Sequence, residues 1–448
     1  MQVRARRFAS VAVVAIFVMT PVGVSRAGVS GDIFVTTFDD EILPDGDCSL
    51  REAVIAANTD AAIDACAPGG AYDHIFLQIG TYNLSIPGGG EDAAMTGDLD
   101  VLSPTAFLPV RFDGRATIDG GGLDRIFDVH ASVDASSFTF LILVNGDAGS
   151  DEGGAIRVAD RNCDLTVGST DISSVLVEGN RARIGGGIHV GACGRPYVRF
   201  SSIVGNVASE VGGGISLRGD AAGIVETSTI SGNSAGVAGG GVWAEAEETR
   251  TYFELATVAD NAAPDGAGVW SDLGIMNLHM AIIATNRGPN CSWGGEGLAQ
   301  GLADDDTCGG AVAIADAGLL SLARVGDEAV HLLADDSPAI ELGGVPIGLW
   351  CFGATQSDQI HTARPQDGDG NGVAECDYGA IEHPAVPLVG QPSSPEPSQS
   401  PRVVPDTAIA SVPTASQPSL VPLAIAAWAL LTASVALRNM RRSRVRHR

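Results

Sequence analysis

The sequence contains no lysine, so all 26 of its basic residues are arginine, against 54 acidic residues and a net charge of −28. Such an acidic surface repels the phosphates of nucleic acid, and we expect no nucleic-acid partner. Aromatic residues are also scarce, at 5%, whereas glycine and proline number 58 and 22. Few aromatics and many turn-forming residues argue against a helical fold and favour turn-dense β-structure.

A short pattern recurs five times, with its last residue repeating every 25 to 28 positions. It consists of an apolar residue, a second residue two positions on that we expect to point inward, a third apolar residue and a final asparagine. The copies span 172–180, 198–206, 225–233, 253–261 and 278–286. A glycine-rich turn follows each of the first four copies, as at 185–188.

A period near 27 residues, with alternating apolar positions and glycine at the turns, is typical of a coil of short stacked strands. The sequence therefore predicts an all-β fold, a right-handed parallel β-helix or solenoid with coils of about 27 residues, over 126–290. Asparagine tolerates the left-handed backbone of a sharp corner, and stacked asparagine side chains can bond one another. We expect the repeated asparagines to share one corner and to shape the backbone. They are Asn180, Asn206, Asn233, Asn261 and Asn286.

Both ends of the sequence carry targeting signals. Arginines, an apolar run and a small-residue cleavage site predict a signal peptide at 1–27. The uncharged apolar stretch 420–437 and the arginine-rich tail 438–448 have the pattern of a transmembrane anchor with a cytoplasmic end. The Pro- and Ser-rich segment 386–419 is typical of an extended spacer. We expect an exported protein that a membrane anchor holds in the cell envelope or at the cell surface.

The eight cysteines are even in number and absent from both hydrophobic segments, as an oxidising compartment would favour. No CxxC pair occurs and the histidines are dispersed, which argues against a zinc site. The grouping of cysteines along the chain favours four disulfides. They are Cys48 with Cys66, Cys163 with Cys193, Cys291 with Cys308, and Cys351 with Cys376.

The segments on either side of the repeats are predicted to be caps, because an uncovered β-helix end exposes apolar residues and strand edges. In the N-terminal region, 28–125, Ser49 and Glu52 form a capping box. It starts a short helix whose apolar face would cover the first coil. The C-terminal region, 291–385, is predicted to be the second cap.

Both caps carry a resemblance to known families. Residues 48–53 read CSLREA, and motifs at 96–100 and 118–125 continue the pattern, so this region resembles the CSLREA domain of exported bacterial β-helix proteins. The C-terminal region is similar to the choice-of-anchor Q domain at 337–340, 363–368 and 376–382. The Asn and Gly-Gly repeats also resemble those of polymorphic outer-membrane adhesins. The resemblance implies architecture and anchoring, and no particular reaction.

One row of outward-pointing residues is a candidate binding site. The position after the first apolar residue of each glycine turn should point outward because its neighbours point inward. These positions are Arg157, His189, Ser216, Trp243 and Trp270. Exposed indole faces bind sugar rings, so the row predicts a glycan or cell-surface ligand. The alternative is that a loop or the C-terminal cap covers the two tryptophans.

A second outward row consists of Ser173, Arg199, Glu226, Glu254 and His279. Glu226 and Glu254 would lie one strand apart, near the ~5 to 5.5 Å between the two carboxylates of retaining glycosidases. Like charges that close raise one of the two pKa values, as an acid–base pair requires. The alternative is a solvated ladder of charges that includes Arg199 and His279.

An acidic turn near the C-terminus is the best metal candidate. Asp367, Asp369 and Asn371 offer oxygen atoms at alternate positions with glycines between them, as a Ca²⁺ loop does. Tyr378 stands where a bidentate glutamate would complete such a loop, so Glu375 or Asp377 would have to replace it. The alternative is an acidic glycine turn that holds no ion.

Two classes of function remain open. The first is an adhesion or glycan-binding module on the flank of the β-helix. The second is a polysaccharide lyase or glycoside hydrolase on the same flank. A lyase of this kind combines aspartates on Ca²⁺ with a base, whereas no repeat row collects aspartates and, without lysine, only arginine could be the base. The sequence therefore favours binding over catalysis.

Overall fold

The computed structural model describes residues 31–109, 115–133, 135–161, 169–245, 250–272, 274–294, 297–341 and 356–385. All of these residues belong to a single compact unit.

The predicted signal peptide, spacer, anchor and tail, at 1–27, 386–419, 420–437 and 438–448, lie outside the described residues. Within the described part of the chain, no helix is long and apolar enough to cross a membrane.

The described residues form one helix, α1 (Leu50–Thr59), and many short strands. Before the repeats lie β1 (Gly31–Phe34), β2 (Asp73–Leu77), β3 (Thr81–Asn83), β4 (Leu99–Val101), β5 (Thr105–Pro109), β6 (Ala116–Asp119), β7 (Phe127–Val129), β8 (Ser136–Thr139), β9 (Leu141–Val144) and β10 (Ile156–Val158). The repeats contain β11 (Thr170–Ser173), β12 (Leu176–Glu178), β13 (Arg181–Ile184), β14 (Ile188–Val190), β15 (Pro196–Arg199), β16 (Ser202–Val204), β17 (Val207–Val211), β18 (Ile215–Leu217), β19 (Ala222–Glu226), β20 (Thr229–Ser231), β21 (Ser234–Ala235), β22 (Val242–Ala244), β23 (Arg250–Glu254), β24 (Thr257–Ala259), β25 (Val269–Ser271) and β26 (Ile275–Ala284). After them come β27 (Cys291–Trp293), β28 (Gly297–Ala303), β29 (Val312–Ala313), β30 (Ala323–Val325) and β31 (Glu328–Val330).

The fold is all-β, with long parallel sheets. A large sheet contains 18 strands, most of which pair in two parallel series. The first series is β1, β2, β5, β8, β11, β15, β19 and β23, and the second is β3, β6, β9, β12, β16, β20 and β24. Both series end on the long strand β26. A second sheet has eight strands in the order β27, β25, β22, β18, β14, β10, β7 and β4. A third joins β13, β17 and β21. Among the named strands, only β30 and β31 pair antiparallel.

Apolar residues of successive repeats align in register inside the molecule. Val198 pairs with Ile172 on one side and with Val225 on the other, and all three are buried. The third apolar position aligns in the same way, since Ile230 pairs with Ile203 and Val258. Each repeat therefore adds one layer of aliphatic side chains to the core, as the alternation of the sequence predicts.

The five repeated asparagines also form one row, and their side chains hydrogen-bond along it. The amide of Asn180 donates to the side-chain oxygen of Asn206 at 3.0 Å, and equivalent bonds continue to Asn286. The left-handed backbone falls one residue earlier than expected, at Gly179, Gly205, Gly232, Asp260 and Thr285. The reason is that the asparagine itself must point inward, so the preceding residue makes the corner.

The second position of the pattern does not point into the main core, contrary to our expectation. Ser174, Phe200, Thr227, Leu255 and Met280 all have positive φ angles. A left-handed residue interrupts the alternation of a strand and turns the side chain to the other face. Leu255 and Met280 accordingly pack in a separate apolar cluster with Ala339 and Tyr378 of the C-terminal region.

The N-terminal helix has the predicted capping box. The hydroxyl of Ser49 accepts the N–H of Glu52 at 3.1 Å, and the Glu52 carboxylate accepts the N–H of Ser49 at 2.9 Å. Arg51 is fully buried, paired with Asp40 at 2.6 Å, and it donates to main-chain carbonyls of the 94–98 loop. The helix contacts β1, β2 and β4.

Part of the C-terminal region lies along the outer side of the large sheet. Gln359 accepts from Thr229 at 2.6 Å and donates to Ser202 at 2.8 Å. His331 hydrogen-bonds Ser231 at 2.8 Å. This region therefore covers the strands that carry Ser202, Thr229 and Ser231, and it buries polar side chains that a bare sheet would expose.

Two of the predicted disulfides are confirmed, Cys48–Cys66 and Cys291–Cys308. Cys193 and Cys376 are also disulfide-bonded. Their predicted partners, Cys163 and Cys351, lie outside the described residues, so those two pairings stay predictions.

Candidate functional site

The first predicted row exists on the eight-stranded sheet. Strand pairing places Arg157, His189, Ser216, Trp243 and Trp270 on five consecutive strands in register. The row extends beyond these residues to Asp128 and Asp100 at one end and to Ser292 at the other.

The two tryptophans of the row stack on each other. Their ring centroids are 5.7 Å apart and their planes differ by 14°, so each ring covers one face of the other. Trp243 is only 9% exposed, and the expectation of two exposed rings is wrong for it. Trp270 is half-buried, and its Nε1 donates to Asp265 at 3.0 Å. Trp270 is therefore the indole of this pair that can meet a ligand.

His189 and Arg157 are held by the protein itself. His189 is 2% exposed, with Nδ1 at 2.8 Å from the Ser216 hydroxyl and Nε2 at 3.2 Å from Glu152. Burial, together with the charges of nearby arginines, lowers the pKa of His189 to about 3, so its ring is neutral at pH 7. Arg157 donates to both oxygens of Asp128, at 2.9 and 2.8 Å. Both side chains therefore make contacts within the protein, and these contacts hold the row in place.

The second predicted row exists on the large sheet, where Glu226 and Glu254 are direct partners on β19 and β23. Glu226 is 5% exposed and accepts a hydrogen bond from the Tyr197 hydroxyl. Burial raises the pKa of Glu226. Burial and the charge of Glu226 raise the pKa of Glu254 to about 7. One carboxyl of the pair therefore holds its proton near neutral pH, as a general acid must.

The charge of Arg199 acts to lower the pKa of Glu226, but burial raises it by more. The Arg199 guanidinium lies 3.3 Å from Asp171 and 5.2 Å from the centre of the Tyr197 ring. His279 is the strand partner of Glu254, and burial lowers its pKa. A ladder of alternating ion pairs would lower the carboxyl pKa values, and the opposite shift is found.

The C-terminal region borders the second row. Leu255 and Met280 directly follow Glu254 and His279 in sequence. They pack in the apolar cluster that contains Tyr378 of the C-terminal region. The ring of Phe200, next to Arg199, lies 6.1 Å from the ring of His361. The second row therefore lies beside the C-terminal region, and burial is the main cause of the raised pKa of both glutamates.

A further candidate ligand residue, Glu341, lies beside the acidic turn near the C-terminus, and the sequence did not predict it. Candidate ligand atoms of Asp367, Asp369 and Glu341 all lie within 4.8 Å of one another. Asn371 is in the same turn and hydrogen-bonds Asp369 at 2.8 Å. Glu375 is not part of this group. Glu341 was missed because it precedes the turn by 26 positions and no local spacing connects the two.

Two features favour a proton or a cation among the carboxylates of this turn. Oδ1 of Asp367 is buried and has no hydrogen-bond partner among the described residues. Burial, with the charge of Asp369, raises the pKa of Glu341 to about 6. Three carboxylates this close repel one another unless a proton or a cation lies among them.

A cluster of aspartates lies at β4 and β7, before the regular repeats to which our expectation applied. Asp98, Asp100 and Asp128 are buried, and their ligand atoms also lie within 4.8 Å of one another. Burial and the charge of Asp100 raise the pKa of Asp98 to about 8. Arg125 lies 3.3 Å from Asp98 and 3.5 Å from Asp128. The cluster was missed because it lies in an irregular stretch of the sequence before the first regular repeat.

Comparison with protein-family models, with curated proteins and with solved structures found no significant match for this chain.

Proposed function

We propose that this chain is an exported parallel β-helix, tethered at the cell surface, whose outer flank binds glycans. The regular assignment of strands supports the β-helix. Between 196 and 217 the chain contributes β15 and β16 to the large sheet, β17 to the three-stranded sheet and β18 to the eight-stranded sheet. Each of these strands pairs in parallel with the equivalent strand of the repeat before it. A right-handed coil is the usual solution for such parallel connections.

Export and anchoring form the second part of the proposal. The disulfides Cys48–Cys66 and Cys291–Cys308 suit an oxidising compartment. The signal peptide at 1–27 and the arginine-flanked apolar stretch at 420–437 supply the route and the membrane attachment. The likeness to the CSLREA and choice-of-anchor Q domains supports the same arrangement. The partners would be the membrane at one end and a glycan on the flank.

Trp270 is the observation that carries the glycan-binding proposal. Its indole is half-buried and backed by Trp243, and the bond to Asp265 fixes its orientation. A rigid, partly exposed indole can pack against the C–H face of a sugar with little loss of side-chain entropy. The test is a glycan array probed with the full-length protein in detergent micelles and with its Trp270→Ala variant. We expect bound glycans for the first and loss of those signals for the second.

Glu226 and Glu254 favour a second candidate function, hydrolysis of a glycan on the large sheet. Direct pairing on adjacent strands and a carboxyl pKa near 7 are what an acid and a nucleophile or base require. The release of reducing sugars from the glycans retained on the array tests it. Hydrolysis that Glu254→Gln abolishes would establish the enzyme. The lyase alternative has less support, because Arg125 already occupies the aspartate cluster as a counter-ion.

We also propose that the acidic turn binds Ca²⁺. Asp367, Asp369 and Asn371 would contribute oxygen ligands, and Glu341 would take the place that the sequence gave to Glu375. The bare, buried oxygen of Asp367 supports this assignment. Oxygen atoms from carboxylates and amides are the ligands that Ca²⁺ prefers.

A further inference from the structure

An exposed aromatic stack lies at the first edge of the large sheet. Phe34 of β1 and Phe76 of β2 are strand partners, and their rings stack with centroids 4.8 Å apart and planes 12° apart. Phe34 is 52% exposed. The ring of His74 meets that of Phe76 edge-on at 6.0 Å, and Asp32 lies 3.2 Å from His74. Large aromatic surface is rarely left in contact with water unless it binds something.

The stack belongs to the same row of the sheet as the two glutamates. Parallel pairing continues in register from Phe76 on β2 through β5, β8, β11 and β15 to Glu226 on β19. Five steps between adjacent strands correspond to about 24 Å along the ladder. Ser173 and Arg199 lie between, on β11 and β15. The stacked phenylalanines and the paired glutamates therefore lie in one row of the sheet, about 24 Å apart.

Charge restricts what can lie along this line. The chain carries a net charge of −28, and Asp32, Asp171 and the two glutamates border the row. The one arginine that the row is shown to contain, Arg199, is paired with Asp171, so the acidic groups would repel a polyanion. A neutral sugar chain would meet flat rings at one end and the partly exposed Glu254, beside the buried Glu226, at the other, which combines the aromatic and hydrogen-bonding groups that carbohydrate sites use.

We propose that the outer face of the large sheet, from Phe34 and Phe76 to Glu226 and Glu254, is one extended site for a linear neutral glycan. The glycan lies across the strands, and the phenylalanine pair is its distal subsite. This inference rests on the proposed glycan-binding function and assigns it a second, longer surface. It does not use the tryptophan row, which belongs to the other sheet.

The experiment is a titration of the full-length protein in detergent micelles with neutral β-glucan, xylan and mannan oligosaccharides of increasing length. The variant replaces both rings, Phe34→Ala with Phe76→Ala. The matched control is Leu43→Ala, which removes a similarly exposed apolar side chain away from the row. For wild type and control, we expect affinity to rise with length until the glycan spans both ends of the site. The double variant should bind long glycans about tenfold more weakly and short ones equally well.

Four results would overturn the inference, and they are distinguishable. If the wild type binds neutral glycans and the double variant binds every length as well as the wild type, the extended site is wrong while glycan binding stands. Equal losses on short and long glycans would also contradict a distal subsite. If the wild type self-associates in sedimentation and the double variant does not, the phenylalanines bind a second copy of the chain. If no neutral glycan binds the wild type, the proposed function fails as well.

Discussion

The side-chain oxygen of Asn233 accepts two hydrogen bonds from Asn206, one from its side-chain amide at 3.0 Å and one from its backbone N–H at 2.9 Å. Both residues are fully buried. The amide of Asn233 in turn donates to Ile203 and to Asn261, each at 2.9 Å. One carboxamide therefore joins three successive repeats, and the row as a whole fixes their register.

Replacing Asn233 with alanine should lower the free energy of unfolding by about 3 kcal/mol, because buried donors and acceptors on both neighbouring repeats lose their partners. Denaturant unfolding measures the change. Ser209→Ala, which alters an exposed side chain on the neighbouring strand β17, is the control and should shift stability by less than about 0.5 kcal/mol. An Asn233→Ala variant as stable as the control would contradict the structural role of the row.

The raised pKa of Glu254 predicts how stability depends on pH. Between the ordinary pKa of glutamate and the value of about 7 in the folded protein, the folded state binds more protons than the unfolded state. The contribution of Glu254 to stability is therefore present at low pH and is lost as the pH rises towards 7. Glu254→Gln should be more stable than the wild type at pH 8 by about 2 kcal/mol, with little difference at pH 4.

Thermal unfolding across this pH range measures the effect of Glu254. Glu210→Gln, at an exposed position on β17, removes the same charge and should show no such pH-dependent gain. A Glu254→Gln curve that runs parallel to the wild type at every pH would show that Glu254 ionises normally.

Calcium should stabilise the full-length protein against heat, and calorimetry should show one site in the acidic turn. Glu341→Gln should weaken Ca²⁺ binding strongly, because this carboxylate lies with those of Asp367 and Asp369. Glu375→Gln is the matched control and should bind as the wild type does. Binding that depends on Glu375 and not on Glu341 would favour the spacing seen in the sequence over the geometry of the fold.

Period and alternation predicted the parts of the fold that repeat. The alignment of Val198 with Ile172 and Val225, and the row of asparagines, follow from side chains that recur at one spacing. The left-handed residue before each asparagine could not be assigned in the same way, because glycine, aspartate and threonine all fill it. The positive φ that turns Leu255 and Met280 outward could not be read from the pattern either, and the residues that they pack with, such as Ala339 and Tyr378, are distant in sequence.

For the candidate sites too, the sequence predicts what comes from the regular repeats and not what depends on distant contacts. Pairing of Trp243 with Trp270 and of Glu226 with Glu254 could be predicted, because both pairs come from regular repeats. The burial of these side chains could not be predicted, because it depends on how the rings stack and on packing near C-terminal residues that are distant in sequence. The position of Glu341 beside the acidic turn could be found only from the folded structure, because Asp367 and Asp369 are distant from it in sequence.

The central claim is that the flank binds a glycan through Trp270, and calorimetric titration of a glycan retained on the array into wild type and Trp270→Ala tests it most directly. We expect the variant to bind at least about tenfold more weakly, which corresponds to a loss of about 1.4 kcal/mol. Its unfolding should change by less than that of Trp243→Ala, whose buried ring supports the row. An unchanged affinity in a folded Trp270→Ala protein would contradict the account.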